Sequence, residues 1–277
     1  VYFSRSERAY FAGSTGRAGM PNTALRHPWD AWLLVAATAV ALAVTISLPP
    51  IPQDSAYHTF ADRTGLFAIP NFWNVASNIP FVLVGAFGLR ALPSLRPGLN
   101  LSSYLVFCIG VCLVGAGSAW YHYAPNNHTL VWDRLPMTIA FMGLFSMVIE
   151  DRISTRLGRV LLWPLVVAGV VAVLYWDWTE LQGRGDLRPY GLVQFLPMLL
   201  MPLMLISGKG GRLRARWLWA TLGTYVLAKL AEHFDGAIYA INGLVSGHSI
   251  KHLLGALAVL WAIRAMHEPR MSAETLG

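Results

Sequence analysis

The 277-residue chain is strongly apolar, with 55% hydrophobic and 13% charged residues. Soluble domains carry roughly 25% charged residues, so this composition argues against a sizeable soluble domain. The formal net charge of +7 does not indicate a nucleic-acid partner, because the basic residues fall in short segments between apolar runs. The composition predicts an all-α, polytopic membrane protein surrounded by membrane lipids.

The apolar runs are long enough to cross a bilayer, which takes about 20 helical residues. Residues 1–30 are predicted to form a disordered tail, 31–51 a retained membrane helix and 52–70 a polar loop. Residues 71–266 are expected to hold seven further membrane helices, and 267–277 a C-terminal tail. The seven segments are predicted at 71–92, 101–123, 129–149, 158–176, 190–207, 215–241 and 247–266.

Basic residues concentrate in alternate loops between these segments. The residues concerned are Arg90, Arg96, Arg152, Arg156, Arg159, Lys209, Arg212, Arg214 and Arg216. Since Lys and Arg mark cytoplasmic loops, eight spans with both termini in the cytoplasm are predicted. The compact loops, with no organelle signal, favour a bacterial inner membrane.

Histidines recur at helical spacing near the predicted non-cytoplasmic face. Ser118 and His122 are four residues apart, and so are His248 and His252, which places each pair on one helix face. Asp133 follows a short turn and is expected at the same depth. Ionisable residues inside membrane helices are costly and mark function, so the three histidines are predicted to bind a metal ion.

Neutral imidazoles suit zinc, and three protein ligands with an open position are typical of catalytic zinc. Asp133 is either a fourth ligand or the base that takes a proton from water, and the second interpretation is favoured. Ser118 either donates to a developing oxyanion or serves helix packing in a run of small residues. Arg134 is interpreted either as the ion-pair partner of Asp133 or as an interfacial residue that extends its charge to the membrane surface, and the second interpretation is favoured.

Three more polar residues are expected at this depth, in the outward half of segment 215–241: Glu232, His233 and Asp235. They are interpreted either as groups that orient the ligand imidazoles or as ion-pair partners of Lys229 and Lys251. A transporter relay through Lys229, Glu232 and Asp235 is a weaker interpretation, since the chain shows no clear internal repeat. A Ser118–His122 protease dyad leaves the other two histidines without a role.

The pattern Ser118-x3-His122, Asp133 and His248-x3-His252, together with the segment 71–78 (NFWNVASN), resembles the alkaline ceramidase family. That family shares a superfamily with the adiponectin/progestin-type receptors. The resemblance implies a seven-helix core at 71–266 and a zinc amidase that splits ceramide, or a related lipid amide, into a sphingoid base and a fatty acid.

By that resemblance the three histidines hold zinc, Asp133 activates water and Ser118 stabilises the oxyanion. The family's acidic calcium site is altered here, because Asn71 stands where a glutamate is expected. Asp62 is the main acid left nearby, so Asp62 and Asn71 are at most remnants and calcium binding is not expected. No obligate protein partner is predicted. The alternative is a receptor-like zinc-binding membrane protein with incidental or no hydrolysis.

Overall fold

The computed structural model of the protein describes residues 25–209 and 211–267, so most of the predicted tails, 1–30 and 267–277, lies outside it. The described residues form helices joined by loops and short 3-10 turns, which confirms the predicted all-α class. The helices are α1 (Pro28–Ser47), α2 (Phe72–Ala76), α3 (Ile79–Arg90), α4 (Leu101–Tyr123), α5 (Asn127–Arg152), α6 (Thr155–Leu181), α7 (Arg188–Ser207), α8 (Ala215–His233), α9 (Asp235–Asn242) and α10 (Gly247–Met266).

Six helical stretches in this described part of the chain are long and apolar enough to cross a membrane. They are Trp29–Ser47, Phe72–Arg90, Leu101–Tyr123, Thr155–Leu181, Arg188–Ser207 and Gly247–Met266. The protein is therefore an integral membrane protein. The other two predicted spans correspond to α5 and α8, which are as long but more polar. Most residues of α5 are buried among neighbouring helices, so this helix needs no continuous apolar surface toward lipid.

The core helices surround a cavity of about 700 Å³. Helices α3 to α8 contact one another in chain order, α10 packs against both α8 and α3, and α1 packs on the outside of α7. The cavity wall is formed by α1, α3, α4, α5, α7, α8 and α10. The extra N-terminal helix is therefore a part of the cavity wall as well as a membrane span.

Helices α4 and α5 approach each other closely because glycines lie at their contact. A Cβ atom on Gly117 would overlap the backbone carbonyl of Trp132, and one on Gly110 would meet the backbone of Ala140. Small residues let membrane helices approach to backbone contact. Gly117 thereby brings the end of α4 against the first turns of α5.

A tight turn at Ala124–Asn126 connects α4 to α5. The side chain of Asn126 accepts a hydrogen bond from the Thr129 amide (2.9 Å), and the Thr129 hydroxyl accepts one from the Asn126 amide (3.2 Å). This capping box satisfies two amide groups at the start of α5. It fixes the chain reversal that places His122 and Asp133 at the same end of the bundle.

The prediction of a single membrane helix at 215–241 is wrong in one respect, because this segment consists of two helices. Helix α8 ends at His233 and α9 begins at Asp235, with Phe234 between them. The Asp235 carboxylate accepts hydrogen bonds from the amides of Ala61 and His248. Two partners outside its own helix thus fix Asp235 at the point where the helix direction changes.

The loop between α1 and α2 crosses the same end of the bundle. Its Ile51 carbonyl accepts from the Leu187 amide (2.8 Å), and its Gln53 amide donates to Glu180 (2.5 Å). Further along, His58 lies between the hydroxyl of Tyr121 and the side-chain oxygen of Asn127, at 3.0 and 2.9 Å. These contacts hold the loop over the ends of α4 and α5.

Candidate active site

Three buried histidines converge at the covered end of the bundle. His122 lies in the last turn of α4, and His248 and His252 lie in the first two turns of α10. Nε2 of His122 is 3.2 Å from Nε2 of His252 and 3.3 Å from Nε2 of His248. Their ligand-capable nitrogens all lie within 4.8 Å of one another. The fold therefore brings together the three side chains predicted to bind a metal ion.

Ser77 fixes the orientation of His252. Its hydroxyl oxygen lies 2.8 Å from His252 Nδ1, and the hydroxyl donates to the Asn74 carbonyl (3.2 Å). Because the Ser77 proton is directed at that carbonyl, the oxygen is left to accept from Nδ1–H. The Nε2 lone pair of His252 then points at the other imidazoles, as a metal ligand requires.

This donor set fits a divalent metal ion. Three imidazole nitrogens that meet at one point cannot all be satisfied by one another, since each hydrogen bond between two of them needs one protonated and one unprotonated nitrogen. Of these nitrogens, Lys251 Nζ contacts only that of His248, at 3.0 Å. A metal ion accepts all three lone pairs at once. His122 Nδ1, on the far side of its ring, is buried without a hydrogen-bond partner among the described residues. That nitrogen lies apart from the Nε2 contacts that define the site.

Backbone contacts position the helices that carry the histidines. The side-chain amide of Asn71 donates to the carbonyl of His122 (2.9 Å), and the Asp235 carboxylate accepts from the His248 amide (2.7 Å). A carboxylate is favourable at a helix N-terminus such as the start of α10. Asp235 therefore acts on the backbone of His248 rather than on its imidazole.

Phe60 covers the histidines on the loop side. Its ring centroid lies 4.7 Å from that of His122 and 4.8 Å from that of His248. The Phe60 side chain is itself buried. The α1–α2 loop thus shields the three converging imidazoles with an apolar ring.

Ser118 and Asp133 both line the cavity, as does His252. Both are buried, at 2% and 8% exposure. The close contact at Gly117 brings the two residues to the same end of the cavity, because it packs the last turns of α4 onto the start of α5. The Asp133 carboxylate is not part of the group of close ligand atoms, an arrangement that suits a base better than a fourth ligand.

A family model described as Ceramidase matches residues 66–206, about half of the chain. The chain belongs to the ceramidase family. A search of the curated proteins finds no match. Family membership identifies the protein as a hydrolase of amide bonds and supports ceramide hydrolysis as its activity. The matched range includes Ser118, His122 and Asp133, whereas His248 and His252 lie beyond it and reach the site through the fold.

The cavity of this ceramidase-family protein extends from the histidines into the bundle. Along α5 its wall runs from Asp133 to Leu144, a depth of about 16 Å at roughly 1.5 Å of rise per residue. Apolar side chains line most of this depth, including Phe81, Phe107, Val111, Met137, Phe195 and Leu199. The cavity therefore has a polar, histidine-containing end and a long apolar extension.

Arg134 is buried, so its interpretation as an interfacial residue is wrong. Its guanidinium stacks on Trp176 (4.1 Å to the ring centroid) and Tyr190 (4.7 Å) and donates to Gln53 (2.6 Å). Cation–π contact with two rings stabilises a desolvated guanidinium. Arg134 thereby attaches the α1–α2 loop to the cavity wall.

Glu232 and His233 are adjacent in sequence but differ in surroundings. Glu232 pairs with Lys229 and Lys251 on the cavity wall. His233 is exposed, and its ring contacts Phe234 rather than the histidine group. Of the two interpretations left open by the sequence, ion pairing with the lysines describes the position of Glu232.

The two proposed remnants of the family calcium site have other contacts. The Asp62 side chain accepts a hydrogen bond from the Thr64 amide (2.8 Å), and the side-chain amide of Asn71 donates to the His122 carbonyl. Asn74, a residue of the same polar segment, donates to the Asp62 carbonyl (2.9 Å) and accepts from the Ser249 hydroxyl (3.1 Å). These residues connect the loop, α2 and α10 around the histidines.

Proposed function

We propose that this ceramidase-family protein is an intramembrane, zinc-dependent amidase that hydrolyses ceramide or a related lipid amide to a sphingoid base and a fatty acid. The observation that carries the proposal is the convergence of three imidazole Nε2 atoms beside a buried carboxylate, at the polar end of an apolar cavity. His122, His248 and His252 would hold the ion. Neutral imidazoles suit zinc, and three protein ligands leave a position open for catalysis.

The chemistry divides between the ion and two side chains. When bound, zinc supplies a Lewis acid that polarises the amide carbonyl and makes water more acidic. The Asp133 carboxylate accepts a proton from the attacking water and returns it to the amine as the C–N bond breaks. The Ser118 hydroxyl donates to the carbonyl oxygen as negative charge develops there.

The cavity supports a lipid substrate. Its apolar extension, about 16 Å deep at roughly 1.5 Å per helical residue, suits a fatty acyl chain whose amide carbonyl lies at the histidines. In the orientation favoured by the loop charges, both termini are cytoplasmic and the polar end faces the non-cytoplasmic side of a bacterial inner membrane. The substrate then remains in its leaflet while water enters past the α1–α2 loop.

The test is hydrolysis of a ceramide with a fluorescent acyl chain by detergent-purified protein, with metal content measured on the same sample. We expect fatty acid release with about one zinc ion per chain, as the three-histidine site implies. His122→Ala and His248→Ala should lose both. Bound zinc without release from ceramide or related lipid amides would favour a receptor-like zinc-binding protein. Absence of zinc from active protein would contradict the proposal.

A further inference from the structure

Two lysines and one glutamate form a cluster on the cavity wall, outside the range matched by the family. Lys251 Nζ lies 2.8 Å from Glu232 Oε1, and Lys229 binds the other oxygen of the same carboxylate. Lys251 Nζ is also 3.0 Å from His248 Nε2. The cluster therefore reaches from α8 across to the histidines.

The cluster has more positive than negative charge. Among the described residues, Glu232 is the one carboxylate that forms an ion pair with either lysine. Two ammonium groups that share one carboxylate leave one positive charge without a counter-ion. Charges within a membrane bundle are costly unless they are paired, and they mark functional sites. Asp133 also lies on the wall, but Arg134 contributes a further positive charge there.

We propose that Lys251, held in place by Glu232, binds the carboxylate of the fatty acid released by hydrolysis. The inference rests on the proposed amidase function. Hydrolysis turns a neutral acyl amide into a carboxylate at the histidines, where the Lys251 ammonium is already located. The apolar extension of the cavity holds the chain of the same molecule.

The position of Glu232 explains how the cluster responds to the product. Before cleavage the substrate amide is neutral, and Glu232 accepts from both lysines. After cleavage the new carboxylate supplies the second negative charge that the two lysines lack. It forms a charge-assisted hydrogen bond with Lys251. The free fatty acid is therefore expected to bind more tightly than an uncharged lipid of the same length, and to act as a product inhibitor.

The experiment measures displacement of a fluorescent fatty alcohol from the full-length, detergent-purified protein by palmitic acid or by hexadecanol. We expect the affinity for the acid to exceed the affinity for the alcohol by a factor of about ten or more, as a hydrogen bond to a charged group implies. Lys251→Met should reduce the acid-to-alcohol ratio to about one, with the metal content measured on each sample. Lys209→Met, which removes a positive charge outside the cavity, should leave the ratio unchanged.

Glu232→Gln provides a second test with the opposite sign. It removes the competing negative charge but keeps an amide oxygen that can accept from Lys251 and hold it in place, so acid binding should increase relative to alcohol binding. A wild-type ratio near one would overturn the inference, because no group would then favour the carboxylate. An unchanged ratio in Lys251→Met would also overturn it, because the ion or another group would then bind the acid. These binding results do not depend on turnover: a protein that fails to hydrolyse ceramide but shows the Lys251-dependent ratio retains this site while losing the proposed function.

Discussion

Two serine–histidine pairs lie near opposite ends of the bundle and differ in one contact. Ser77 is 2.8 Å from His252 Nδ1, and Ser94 is 3.0 Å from His267 Nδ1. His267 Nε2 is 2.8 Å from the Tyr104 hydroxyl, which itself donates to the Gly88 carbonyl. His252 Nε2 instead faces the imidazole of His122. Both ring nitrogens of His267 therefore contact hydroxyl groups of the protein, whereas Nε2 of His252 meets another imidazole nitrogen among the described residues and is placed to bind an ion.

The balance of charge in the ion pairs also differs between the two ends of the bundle. At the His267 end, Asp151 accepts from the amides of Arg212 (2.6 Å) and Leu213 (3.2 Å), and lies 2.9 Å from Arg152 Nε as an ion pair. At the histidine group, two lysines share a single glutamate. Asp151 and Arg152 form an ion pair of one negative and one positive group, whereas two lysines outnumber the carboxylate they share. An excess of charge within a membrane bundle is costly and marks a functional site.

The largest expected effect separates the two histidines. His252→Ala should abolish lipid-amide hydrolysis and zinc binding together, because it removes one of three ligands. His267→Ala should keep turnover per folded molecule and lower the free energy of unfolding by about 1 kcal/mol, as loss of a partly buried hydrogen bond implies. Zinc content, turnover and thermal unfolding on both variants test the comparison. Loss of turnover in folded, zinc-loaded His267→Ala protein would contradict it.

The next effect separates the two buried aspartates. Asp133→Asn should reduce kcat by about 10²–10⁴-fold, the usual contribution of a general base, while zinc remains bound. Asp151→Asn, at the opposite end, should lower thermal stability and leave kcat of the folded protein unchanged. Loss of zinc from Asp133→Asn would instead make Asp133 a fourth ligand, the interpretation that the sequence had left open.

The sequence predicts much of this arrangement because the relevant patterns are local. A spacing of four residues places His248 and His252 on one helix face, and the turn before α5 returns the chain toward His122. Apolar length predicts the membrane helices. Helix α5 has less apolar character than a typical span. Its polar residues are tolerated because most of the helix is buried, so that they face neighbouring helices and the cavity.

The sequence does not predict contacts that depend on the path of the α1–α2 loop or on the rotation of distant helices. The burial of Arg134 requires Trp176 on α6 and Gln53 on the loop, and neither contact follows from periodicity. The contact of Ser77 with His252 joins residues 175 positions apart. One local signal was present, since Asn74, Ser77 and Asn78 are polar residues at the start of an apolar segment.

The smallest expected effect concerns Ser77 and Ser94, the serines that contact His252 and His267. Ser77→Ala removes the acceptor for His252 Nδ1, so the imidazole is free to adopt other orientations or the other tautomer. Such orienting contacts typically contribute about 10–100-fold to metal affinity. Zinc affinity, measured by competition with a chelator, should fall by that factor, and excess zinc should restore kcat. Ser94→Ala should change neither quantity. If Ser77→Ala lowers kcat at saturating zinc with unchanged affinity, then Ser77 acts in the chemical step and not in positioning His252.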